Sequence, residues 1–129
     1  MIAVVDTDLG VFSVDLETDE VEPWAGSFDA PAAPSLSLPR VVAAAQSAST
    51  IVAVVDAKPP LLVSHDAGVT WRESGRGLPQ GVAVAIDDDP DFVVYATPNR
   101  LYVSNDGAVF WNAVAVELPR IRRISVSNS

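Results

Sequence analysis

Residues 60–71, PLLVSHDAGVTW, and residues 100–111, RLYVSNDGAVFW, stand 40 positions apart and share one pattern. Leu61, Val63, Ser64, Asp66 and Trp71 meet Leu101, Val103, Ser104, Asp106 and Trp111 at that spacing. Each stretch reads as a short apolar run, a polar turn holding Asp and Gly, and a second run opened by Trp. That is the pattern of a β-hairpin.

The periodicity extends outward from these stretches. Leu-Pro dipeptides occur at Leu38-Pro39, Leu78-Pro79 and Leu118-Pro119, and IVAVVDA (51–57) falls on DFVVYAT (91–97) without a gap. In the second repeat, strands are expected near 40–47, 50–56, 61–64 and 70–75; in the third, near 81–87, 92–96, 101–104 and 110–116. Breaks rich in Pro, Gly and Asp (DAKPP, SGRGLPQ, DDDPD, TPNR) separate them. The first 39 residues carry a worn copy: VVDTDLGVFSVD (4–15) matches VVDAKPPLLVSHD (54–66) with one deletion, placing Ser13 and Asp15 on Ser64 and Asp66 and leaving Trp24 to stand for Trp71.

Four short strands repeated at about 40 residues is the signature of a β-propeller blade, a sheet that hides its faces by stacking on its neighbours. The chain is therefore expected to be all-β, a single unit over 1–129 with repeats 1–39, 40–79 and 80–119 and a closing strand 120–129. It starts at the second strand of blade one and ends on a strand, RIRRISVSNS, that would supply that blade's missing first strand. Propeller rings hold about 4–8 blades, so three make half a ring. A head-to-tail homodimer is then expected to form a six-bladed ring, each closing strand completing its partner's first blade. The alternative is that the chain is a fragment of a longer propeller.

Ser64-His65-Asp66-Ala67-Gly68-Val69-Thr70-Trp71 resembles the Asp box of the sialidase-type (BNR) propeller repeat, Ser-x-Asp-x-Gly-x-Thr-Trp, at Ser64, Asp66, Gly68, Thr70 and Trp71. The next copy keeps Ser104, Asp106 and Trp111, moves its glycine to Gly107 and replaces Thr by Phe110. The resemblance implies structural turns away from any active site. A short carboxylate can accept loop N–H groups, and Gly can take φ > 0. The family's arginine triad, tyrosine nucleophile and pocket carboxylates do not map onto this chain, and Tyr95 and Tyr102 match Val55 and Leu62 as packing positions.

Composition narrows the function classes. The net charge is −9, lysine occurs once (Lys58) and cysteine not at all. Disulfides and thiolate metal sites are excluded. Acidity argues against nucleic-acid binding, and no apolar run reaches the ~20 residues of a membrane span. No leader is visible, and a cytoplasmic protein is expected. The acidic, lysine-poor balance resembles proteins of salt-loving archaea. The lone histidine, His65, supports no catalytic triad, and DDDPD (87–91) reads as a solvated turn rather than a cation site. No catalytic residue, metal or cofactor is expected.

Sorting residues by propeller connectivity places Arg40, Arg100, Arg120 and Arg122 on or near one end of the ring. They are the candidate contacts for an anionic sugar or phosphate ligand. The plainer reading is that they neutralise nearby carboxylates. A non-catalytic scaffold engaging a partner protein is the leading functional expectation, an anion-binding lectin-like module the alternative, and a glycosidase-like hydrolase the last.

Overall fold

In a computed structural model describing residues 1–30 and 32–127, the chain forms twelve strands. They are β1 (Ile2–Thr7), β2 (Gly10–Asp15), β3 (Val21–Pro23), β4 (Val41–Ser47), β5 (Thr50–Val55), β6 (Leu61–Ser64), β7 (Arg72–Ser74), β8 (Ala83–Ile86), β9 (Val93–Ala96), β10 (Leu101–Ser104), β11 (Asn112–Ala113) and β12 (Ile121–Ser127). These make three four-stranded antiparallel sheets, ordered β12-β1-β2-β3, β4-β5-β6-β7 and β8-β9-β10-β11. The sheets are the three expected propeller blades. Among the described residues, no helix is long and apolar enough to cross a membrane.

Blade three is the middle of the arc. Its one face packs on blade two through Val84, Val93, Tyr95 and Tyr102, against Val52, Val54, Leu61 and Val63. Its other face packs on blade one through Ala85, Val94, Ala96 and Leu101, against Ala3, Val5, Val14 and Ile124. Strands buried on both faces read as continuous Val/Ala runs because neither face meets water. β5 and β9 are buried at every position.

The outermost face of blade one breaks that rule. Strand pairing sets Val4 beside Ser13 and Ser125, and Asp6 beside Val11 and Arg123. The corresponding face of blade two carries Val52, Val54, Ala43, Ala45 and Val63. Arg123 grips Asp6 Oδ2 through Nε at 3.0 Å and Nη2 at 2.8 Å, and lies 4.7 Å above the Phe28 ring. A polar outer face is how a stack of repeats ends in water. At the other end, the apolar free face of blade two is covered by the connector between β3 and β4, where Pro34, Ser35, Leu36 and Leu38 line a groove with Ile51 and Trp71.

Two readings from the sequence need correction. The 40-residue register holds for the first, third and fourth strands of blades two and three but not for the second. Ala45 pairs with Val52 and Ala85 with Val94, while Val52 pairs with Val63 and Val94 with Val103. Val52 therefore corresponds to Val94, a shift of 42. Counted between paired positions, the connection before β9 is two residues longer than its counterpart and the one after it two shorter. An even shift preserves the in/out alternation, so the pattern conceals it. Tyr95 accordingly takes the place of Ala53, not Val55; Tyr102 does match Leu62.

Blade one departs further. Ser13 lies inside β2, paired with Val4 and Glu22, so it corresponds to Val63 rather than Ser64. Asp15 makes its own turn by accepting the amides of Glu17 and Thr18.

The closing strand is β12, antiparallel to β1 from Ile2↔Ser127 to Thr7↔Ile121. Within the single chain it takes the place of blade one's first strand. Positions 128–129 of the expected closing strand lie outside the described residues.

Candidate functional site

The two Ser–Asp turns are built alike. Ser64 Oγ donates to Asp66 Oδ1 at 2.7 Å and accepts the Gly68 amide at 2.8 Å. Asp66 also accepts the Thr70 amide (2.8 Å) and the Thr70 hydroxyl (2.6 Å). In blade three, Ser104 Oγ donates to Asp106 at 2.8 Å and accepts the Ala108 amide at 3.0 Å. Asp106 then takes the amides of Val109 and Phe110, each at 3.1 Å. The displaced glycine follows from the backbone. Ala67 and Gly68 have φ of 59° and 93°, Gly107 and Ala108 of 75° and 67°. Two successive left-handed residues are needed, glycine fills one, and alanine bears the strain at the other.

These donors act on carboxylate charge. The Thr70 hydroxyl and amide, then Ser64, hold Asp66 at about 2, against an ordinary 3.8. The Phe110 amide and Ser104 lower Asp106, and the Glu17 and Thr18 amides lower Asp15. A carboxyl whose folded-state value is depressed stabilises the fold above its unfolded value and loses that contribution as pH falls through the folded value. Asp66→Asn is therefore expected to lower the Tm at pH 7, with the gap to wild type closing between pH 4 and pH 2. Thermal melts across that range check it; a constant gap would assign the turn's stability to shape rather than charge.

The turns also join blades. Arg72 Nη2 donates to Gly107 O at 2.6 Å and its Nη1 to Ala108 O at 3.4 Å. Ser74 Oγ donates to Ala108 O and accepts the Trp111 indole N–H at 3.1 Å. Trp111 stands edge-on to Tyr95, 6.0 Å between centroids, within the blade two–blade three interface. Trp71, donating to Gly68 O, instead abuts the connector. Such contacts are structural; sequence spacing did not mark Arg72 or Ser74.

One concave surface lies between the three inner strands. A cleft of about 320 Å³ is lined by β4, β8 and β12 and by Ala30, Ala32 and Ala33 of the connector. Its walls are Ala, Val and Ile, with Gln46, Arg122 and Arg123 as the polar side chains. Bulges shape it. In β4, Val41 pairs with Val55 and Ala43 with Val54, leaving Val42 over; in β12, Ile121 pairs with Thr7 and Arg123 with Asp6, leaving Arg122 over. Bulges re-aim a side chain out of the alternation. Val82, just before Ala83 in β8, is the third equivalent position, and Val42, Val82 and Arg122 all line the cleft.

Of the four arginines expected to bind a ligand, Arg122 is on the cleft. Arg40, Arg100 and Arg120 are not among its lining residues. The backbone carbonyls of Arg40 and Arg120 clamp neighbouring connections by accepting the amides of Asp56 and Asp8. Arg100 pairs with Glu117 at 3.2 Å, both well exposed, a geometry worth little to stability. Arg122 Nη2 donates to the Thr7 carbonyl at 3.1 Å. The bulge that sets Arg122 apart depends on strand register, which the sequence pattern does not display. Among the described residues no group of three His, Asp or Glu side chains could hold a metal.

No family model and no curated protein matches the chain. Among solved structures, the fold is similar to part of the crystal structure of the Niastella koreensis GH74 enzyme, with a TM-score of 0.52 and 21% identity. The similarity covers 91% of this chain and 18% of that one. At that identity the likeness supports the propeller architecture and nothing finer.

Proposed function

We propose that the chain is a non-catalytic binding module built from sialidase-type Asp-box blades, and that its central cleft takes an anionic ligand. The observation that carries this is the placement of Arg122 on the wall of a cleft otherwise lined by small apolar side chains. A hydrolase of the glycosidase type requires two carboxyl groups flanking the scissile bond. Among the described residues no acidic side chain belongs to this lining. The acidic, cysteine-free composition fits the cytoplasm of a cell rich in salt.

Calorimetric titration with inorganic phosphate, N-acetylneuraminate, glucuronate and hexanoate tests the reading. At least one anion is expected to bind saturably, and Arg122→Gln to weaken it tenfold or more, the loss of about one charged hydrogen bond. Binding by none of them, or binding indifferent to Arg122, would overturn it.

A partner protein is the second reading, and a specific observation favours it. Val69, Val109 and Phe110 sit on the two Ser–Asp turns with exposures of 80%, 53% and 73%. Large apolar side chains at that exposure suit contact with another surface.

A further inference from the structure

The ligand class can be narrowed from three equivalent positions, two of them bulges, an inference that rests on the anion-binding reading of the cleft. Residues 42, 82 and 122 are equivalent in the three inner strands and line one space. Two are valine, and Val42 remains half exposed although it lies within the cleft. The third is arginine. Its neighbour Arg123 is compensated by the two-pronged Asp6 contact and the Phe28 ring. Arg122 meets a backbone carbonyl, a partner of no net charge. Of the cleft's two arginines among the described residues, Arg122 is thus the one without a carboxylate partner, set beside alkyl surface in a chain whose net charge is −9.

A multiply charged ligand such as phosphate would bring more negative charge than one guanidinium offsets, and a sugar would bury hydroxyls against Ala and Val with few acceptors or donors to meet them. A body of carbon with one anionic head matches both parts of the lining. Carboxylate suits the fork of guanidinium donors. We infer that the cleft binds an aliphatic monocarboxylate, head group on Arg122 and alkyl chain between Val42 and Val82. Its volume of about 320 Å³ lies at the small end of ligand sites, which favours a short chain.

The test is a calorimetric series of acetate, butanoate, hexanoate and octanoate, with hexanol, inorganic phosphate and N-acetylneuraminate as contrasts. Each added methylene should tighten binding about three- to fourfold until the cleft is filled. Arg122→Val reproduces the residue found at both equivalent positions, so it should fold. It should lose hexanoate binding at least tenfold while binding hexanol no more weakly. Arg122→Lys, keeping the charge without the fork, should fall between the two.

Chain-length-independent affinity, or hexanoate binding unchanged in Arg122→Val, overturns the inference. Binding of phosphate or N-acetylneuraminate through Arg122 without hexanoate also overturns it, while leaving the anion-binding reading standing. Silence from every anion removes both.

Discussion

Gly81→Val should lower stability by about 3 kcal/mol, the upper end of what overpacking typically costs, or unfold the protein. A Cβ at position 81 would stand 2.1 Å from Tyr95 Cε1 and 2.3 Å from its Cζ. The ring has nowhere to retreat. Tyr95 is fully buried, its hydroxyl donates to the Pro79 carbonyl at 2.6 Å, and Trp111 and Tyr102 stand 6.0 and 6.2 Å away. Burial also pushes its phenol pKa upward, so ionisation offers no escape at accessible pH.

Blade two shows how the same space is filled another way. By strand register Gly81 corresponds to Val41 and Tyr95 to Ala53: a small residue beside a large one, with the order reversed. Exchanging the pair should therefore recover part of the loss. Gly81→Val with Tyr95→Ala is expected to be less destabilised than the sum of the single changes, by about 1–3 kcal/mol of coupling. Denaturant melts of the four proteins measure this directly. Additive effects would mean that the contact does not set the packing of blade three.

Ending the chain at Pro119 should abolish cooperative folding. The truncation removes β12, six paired positions along β1, and the buried side chains Ile121 and Ile124. Blade one would be left with an open edge and an uncovered apolar face against blade three. Domains hold only about 5–15 kcal/mol in reserve, so losing a whole strand's pairing and two buried isoleucines removes a large share of it. A synthetic peptide of residues 120–129 added to the truncated chain should restore cooperative melting, since the edge it vacates is a ready template.

The same strand bears on assembly. The head-to-tail homodimer predicts a native mass of twice 13.6 kDa, whereas a mass near 13.6 kDa would leave β12 on its own blade and the Asp6–Arg123 pair on an open end face. A mass of twice that would point to the six-bladed ring, with the closing strand exchanged between copies or the polar end face buried in the ring.

The sequence alone determined that this chain is all-β and blade-like. Strand-forming side chains at positions such as Leu61, Val63, Leu101 and Val103, and turn chemistry at Ser64, Asp66 and Gly68, act between neighbours in the chain or across one hairpin. Such local constraints are written directly into residue order. The bonds that close both Asp turns are equally local, each spanning four residues or fewer.

Register between strands, and what faces what, was decided in three dimensions. The two-residue slip of β9 leaves its alternation intact, so nothing along the chain betrays that Tyr95 sits over Gly81. The bulges that turn Val42 and Arg122 inward exist only relative to β5 and β1, and the cleft needs three strands from distant repeats. Arg40, Arg100, Arg120 and Arg122 look alike in the sequence. Their separation into backbone clamps, an exposed ion pair and one cleft residue follows from long-range packing, because a side chain's neighbours are set by where its strand lies, not by its place in the repeat.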